Sequence, residues 1–233
     1  MTRRVPELKY QPDVLTRAWQ TSSMLMDYPD DELISRLDLL AKVVATLPAK
    51  LSTGLQQTID HLSSHPLYES QSSYVDTFDT RRRGCLFLTY FSNGETRKRG
   101  MALLRIKQVY TAAGLVLTHE QLPDHLCVVL EFAATGDQVL GRDLMLDHRA
   151  GLELLRLSLR DLGSAWAGLV DAVTATLPPL RGDERDAVRR LAAEGPPEEE
   201  VGLAPFASPQ FSPSAATSRS TLLPMPSFRG ARA

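Results

Sequence analysis

"DELISRLDLLAKVVATLP", residues 31–48, decides the fold class. Leu33, Ile34, Leu37, Leu40, Val44 and Leu47 recur every three or four positions, which is the period of one helix face and not the alternation of a strand. Asp30 or Asp31 stands where a helix N-cap belongs, and Pro48 closes the run.

The same reading extends outward in both directions. Upstream, Pro12-Asp13 opens a helix carrying Val14, Leu15, Ala18, Trp19, Leu25 and Met26 on one broad face, closed by Tyr28-Pro29. Downstream, Leu51, Leu55, Ile59 and Leu62 keep the period towards Pro66, and Tyr74, Val75 and Phe78 suggest a further helix. That helix leads into "FDTRRRGCLFLTYF", residues 78–91, where three arginines are read as consecutive positions on a helix. Asn93-Gly94 is a turn, and a helix from Thr96 stops at Gly114, whose follower Leu115 suits a Schellman motif. "LPDHLCVVLEFAATG" starts another helix with Asp124 near its first turn and Gly136 at its end. Val139 to Leu177 reads as two helices interrupted at Gly163-Ser164, and "GDERDAVRRLAAEG" as a short one capped by Asp183. No stretch alternates with period two for long. The expected fold is all-α, a single-domain helical bundle over residues 12–195.

Residues 196–233 differ in composition. They hold seven of the fifteen prolines, many serines and alanines, and no apolar period. Such a segment buries too little surface to offset its ordering entropy, so a disordered tail is expected. The folded part, about 180 residues, should bury roughly 70% of the surface its unfolded chain exposes, so no metal or disulfide staple is required. Cys85 and Cys127 are far apart and lack CxxC spacing, which fits a reducing compartment. The first thirteen residues carry no apolar h-region, and no run of eighteen apolar residues exists to span a membrane. The expected location is cytoplasmic, without stable membrane insertion.

The net charge of −2 hides a segregation. Residues 79–107 hold eight basic side chains against Asp79 and Glu95, a local +6. Residues 119–153 hold seven acids against Arg142 and Arg149, a local −5. The basic segment could meet phosphate, nucleic acid or an acidic protein, or simply pair with the acidic segment and solvent. A sequence pI near 6.2 and the absence of helix-turn-helix, RNA-recognition or zinc-finger signatures argue against nucleic acid.

Chemistry-bearing motifs are sparse. There is no GxSxG, GxGxxG or P-loop. His61 and His65 have the i, i+4 spacing of zinc ligands but no third ligand in register, which favours a solvated helix end. Asp124, His125 and Glu131 could form an acid/base set for a small nucleotide-binding protein or enzyme. A capping aspartate beside a locally bonded histidine accounts for the first two more simply. Trp19 and Trp166 lie on apolar faces and read as core. The expectation is a non-enzyme without a cofactor of its own; a nucleic-acid-binding protein using residues 81–107 is the other alternative.

Two long ordered stretches carry a resemblance. "YVDTFDTRRRGCLFLTYFSNGETRKRGMALLRIKQVYTAAG", residues 74–114, followed by "EQLPDHLCVVLEFAA", residues 120–134, is similar to the chaperones that assemble the molybdenum cofactor into respiratory nitrate reductase. These are the NarJ type, within the TorD-like redox-enzyme maturation chaperones. The resemblance is dense from Tyr74 to Ala134, looser from Val14 to Tyr74 and on to about Leu177, and absent from the tail. It implies an all-helical, non-catalytic cytoplasmic protein. Its partner would be the apo catalytic (alpha) subunit, including that subunit's N-terminal segment. The chaperone would hold this subunit ready for the molybdopterin cofactor and delay its docking to the membrane subunit.

The family's Pro-Asp-His signature falls on Pro123, Asp124 and His125, completed by Leu130-Glu131-Phe132. Cys127 stands where the pattern has proline, and Gln121 separates Glu120 from Leu122-Pro123-Asp124-His125. The resemblance implies partner-binding roles for Arg82, Phe87, Tyr90, Phe91, Arg97, Arg99, Asp124, His125 and Glu131. An apolar groove with a basic rim would receive the partner's segment as an amphipathic helix.

Overall fold

The computed structural model describes residues 9–117 and 121–197, all within one compact unit. The tail from residue 198 and Glu120 lie outside the described residues. Eleven α-helices occur among the described residues, with no strand beyond an isolated antiparallel bridge between Phe87 and His125. They are α1 (Pro12–Leu25), α2 (Asp31–Val44), α3 (Ala49–Ser64), α4 (Leu67–Tyr74), α5 (Leu88–Asn93) and α6 (Arg97–Ala112), then α7 (Leu126–Glu131), α8 (Gln138–Asp147), α9 (Arg149–Asp161), α10 (Ala167–Thr176) and α11 (Gly182–Glu194).

Local sequence explains many of the boundaries. The Asp30 carboxylate accepts from Leu33 N at 2.7 Å and so caps α2. At the end of α6, Gly114 adopts φ 81°, its N–H reaches Thr111 O, and Leu115 N reaches Tyr110 O at 2.9 Å. That is the Schellman pair expected from Gly114-Leu115.

The centre of the molecule is α1 with α3 and α10 packed around it. Trp19 and Trp166 are fully buried, and each indole N–H has a partner, Thr176 Oγ1 at 2.9 Å and Leu25 O at 3.1 Å. Helices α3 and α10 cross at Gly54 and Gly168. A Cβ at Gly54 would sit 2.0 Å from the Gly168 carbonyl oxygen, so the two backbones touch and neither position has room for a side chain. Ser23 Oγ, donating to Cys127 O at 2.8 Å, ties α1 to α7.

Four local expectations are corrected. Arg81, Arg82 and Arg83 do not share an α-helix: α4 runs into a π-type turn at Val75–Asp79, Arg81 is extended, and Arg82–Gly84 form a 3-10 turn. Packing forces that break, because Gly84 lies against the Thr77 carbonyl, where a Cβ would come within 1.9 Å. The span from Val139 to Leu177 holds three helices, α8 being separated from α9 at His148. At α11, Glu184 performs the capping, its carboxylate accepting from Arg181 N at 2.7 Å, while Asp183 merely occupies the first turn. Asp124 does not cap its own helix, as described next.

Candidate functional site

Residues Leu86–Leu88 and Asp124–Leu126 run side by side as two short extended pieces. Leu88 N donates to Asp124 O and Leu126 N to Leu86 O, both at 2.9 Å. Each piece leads straight into a helix, α5 and α7, so the bridge fixes two helix starts at once. Tyr110 of α6 adds a third tie, its buried hydroxyl donating to Pro123 O at 2.7 Å. The "PDH" segment is therefore clamped by groups from α5 and α6.

The Asp124 carboxylate is fully buried. Its Oδ2 accepts from the Thr89 amide at 3.2 Å and from the Thr89 hydroxyl. The N-cap residue of α5 is Phe87, which has no oxygen to offer, so Asp124 caps α5 from 35 residues away in sequence. Arg99 completes the arrangement: its Nη2 lies 3.6 Å from Asp124 Oδ2 and its Nε donates to Thr89 Oγ1 at 3.3 Å. The same guanidinium sits 5.3 Å from the centroid of the Phe87 ring, and that ring meets His125 edge-on at 5.2 Å. A buried carboxylate needs an opposite charge and donors, and here one arginine and one threonine serve Oδ2, while Oδ1 is buried with no hydrogen-bond partner among the described residues.

The environment keeps His125 neutral near neutral pH. Burial pushes the imidazole below its ordinary value of 6.5, with Asp27, Asp124 and Asp79 opposing the shift. Burial also raises the Cys85 thiol, which lies close enough to Phe87 and Arg99 to feel them, and raises Cys127 well above its ordinary value. Both cysteines are free.

Of the residues expected to bind a partner, Phe87, Arg99, Asp124 and His125 converge in this knot. Phe91 belongs to the core, its ring against Gly151 of α9, with half-buried Tyr90 beside it at 5.8 Å between centroids. Arg82 is exposed on the 3-10 turn, and Arg97 is exposed at the start of α6. The neighbours of Arg82 diverge: Arg81 lines a cleft of about 770 Å³ beside His61 and Tyr68, while Arg83 donates to Ala192 O of α11 at 3.0 Å. Glu131 is exposed and lines a small cavity of about 200 Å³ with Tyr110, Leu115, Val116 and Phe132. Asp124 and Glu131 thus stand in opposite environments, one sealed and one in solvent.

Two features were not anticipated. Thr89 carries the cap that Phe87 lacks, and the only trace in the sequence is the missing polar residue before α5. Helix α6 buries Ile106 and Tyr110 against the body, while Met101 and Leu104, 57% and 47% exposed, lie on its opposite face among Arg97, Arg105 and Gln108. Its pattern has apolar residues on both sides, and the sequence alone did not say which side meets water. His61 packs edge-on against Trp166 at 5.8 Å and lies tilted over His65 at 4.1 Å, and no cluster of three or more potential metal ligands exists among the described residues.

Residues 44–171 match the family model described as nitrate reductase delta subunit. Over 156 residues the chain is 30% identical to the Bacillus subtilis (strain 168) protein named "Probable nitrate reductase molybdenum cofactor assembly chaperone NarJ", covering 66% of this chain and 85% of that one. The nitrate reductase molybdenum cofactor assembly chaperone NarJ of Escherichia coli K12 is 30% identical over 152 residues, 64% of each chain. The nitrate reductase-like protein NarX of Mycobacterium tuberculosis H37Rv is 34% identical over 158 residues, 68% of this chain but only 24% of that longer protein. The match spans both sides of the knot, the bridge and α6, and on it the chain belongs to the nitrate reductase delta subunit family.

Proposed function

We propose that this protein is a chaperone that binds the apo catalytic subunit of a respiratory nitrate reductase and supports insertion of its molybdenum cofactor. It works in the cytoplasm and carries out no catalysis of its own. The observation that carries this reading is the family match over residues 44–171, within which the Asp124 knot holds α6 with its basic and apolar face outward.

The physical roles divide. Asp124, Thr89 and the buried part of Arg99 hold α5, α6 and α7 in register. Exposed Arg82 and Arg97, with Met101 and Leu104, meet the partner's N-terminal segment. Apolar side chains give contact area, and the arginines around them steer an acidic partner and speed encounter. Phe87, Tyr90 and His125 border the same region. Glu131 contributes from the α7 side. Nucleic acid is not a partner in this reading.

Tagged protein recovered from nitrate-respiring cells should bring down the catalytic subunit, identified by mass spectrometry, in comparable molar amount. Recovery of the chain without that subunit, from cells known to express it, would overturn the proposal.

A further inference from the structure

Helix α6 begins with an electrostatic conflict. Arg97, Lys98 and Arg99 are its first three residues, and its first turn holds no acid. Its N-cap, Thr96, makes no cap bond, because the hydroxyl donates backwards to Asn93 O at 2.7 Å. The N-terminus of a helix carries partial positive charge, so anions are favoured there and cations are not. Asp124 answers Arg99. Lys98 is exposed and makes no ion pair among the described residues.

The path of the chain after α11 bears on this conflict. Helix α11 lies along α9 with Val188 buried, and Arg83 donates to Ala192 O at 3.0 Å, so the end of α11 is tied to the 3-10 turn. Gly195 leaves the helix at φ 77°, and Pro196-Pro197 allow the chain few conformations beyond it. The Pro197 carbonyl presses on Gly94, the buried glycine at φ 58° that ends α5, where a Cβ would lie 1.6 Å from the Pro197 oxygen. Gly94 stands three residues before Arg97, at most about 10 Å of chain. The next two residues in sequence after Pro197 are Glu198 and Glu199. Two residues of chain span about 7 Å before their side chains are counted. Reach and charge therefore match.

We infer that Glu198 and Glu199 dock on the basic start of α6, at Lys98 above all, as an internal occupant of the place where the partner's segment arrives. Their carboxylates offset the cations gathered at a helix N-terminus, and an acidic partner has to displace them. The displacement rests on the reading of α6 as the partner surface; the contact does not.

Carbodiimide coupling, which joins a lysine amine to a carboxylate in direct contact, tests the contact on the full-length chain without any partner. In an equimolar mixture of isotopically light and heavy protein, peptide mass spectrometry should find Lys98 joined to Glu198 or Glu199 within one chain. No such link, or one only between light and heavy chains, would overturn the inference. Stopped-flow association with the apo catalytic subunit tests the displacement. Glu198→Gln with Glu199→Gln, two charge removals beyond the end of α11, should leave the circular dichroism spectrum unchanged and raise the on-rate by about threefold or more. An unaltered on-rate in the presence of the link would overturn the competing role. Failure of both forms to bind the subunit, with the link present, would support the contact and contradict the partner reading instead.

Discussion

Asp124 is the residue on which the local architecture turns. Sequence spacing suggested a cap for the helix that follows it, worth about 0.5–2 kcal/mol. The structure gives its carboxylate to Thr89 at the start of α5 and to Arg99 of α6 instead. Asp124→Ala should therefore lower unfolding free energy by about 2–4 kcal/mol, since a cap is lost and a partly buried guanidinium loses its counter-charge. Urea denaturation followed by circular dichroism measures this. A loss under half a kcal/mol, small even for an exposed cap, would show that Asp124 does not hold the helices together. The residue was visible in the sequence, but its partner was not, because nothing local links positions 89 and 124. The histidines make a second prediction at this scale. Burial lowers the pKa of His125 and His148 below 6.5, so the unfolded chain takes up protons that the folded one resists. Stability is then complete above about 6.5 and is lost as pH falls through the depressed folded values. The urea midpoint should drop between about pH 7.5 and pH 5.5, and drop less in His148→Gln. A midpoint that stays level across that window would contradict the burial seen for both rings.

At the scale of elements, the α3–α10 crossing depends on two glycines. Gly54→Ala would place a methyl group 2.0 Å from the Gly168 carbonyl, and the helices cannot separate without opening the core around Trp166. The expected loss is about 2–3 kcal/mol or more, read as a lowered thermal midpoint. Gly163→Ala is a different case, because its φ of 63° is strained for alanine although the space around it is open, so the loss should be nearer 1 kcal/mol. A smaller loss at Gly54 than at Gly163 would contradict the close crossing. Most helices were legible because their signals are local: Asp30 before α2, Pro48 after it, Gly114-Leu115 after α6. The failures occurred where tertiary packing overrides local preference. The helical pattern from Tyr74 breaks into a π-type turn because Gly84 must pack on Thr77. The chain breaks at His148 with no glycine or proline there to announce it. Leucine periodicity marks one buried face well but does not report such breaks, nor that a helix such as α6 leaves Met101 and Leu104 in solvent.

At the scale of the whole molecule, the knot supports α6 and α6 presents the proposed partner surface, and the two sets of residues can be separated by mutation. Met101→Asp with Leu104→Asp changes side chains already half in solvent, so the fold should remain while binding fails. Asp124→Ala should weaken binding only through its effect on helix register. The basic rim predicts that association slows as salt rises, because exposed charges are screened beyond about 8 Å at physiological ionic strength. Arg97→Ala with Arg105→Ala should flatten that dependence, as stopped-flow measurement of the on-rate would register. A salt-independent on-rate would reduce the cluster to a solvated face. The most direct measurement is size-exclusion chromatography with light scattering on purified chain mixed with the purified apo catalytic subunit of nitrate reductase. The account predicts a stoichiometric complex that the Met101→Asp, Leu104→Asp variant fails to form; two separate peaks for the unaltered pair would contradict it.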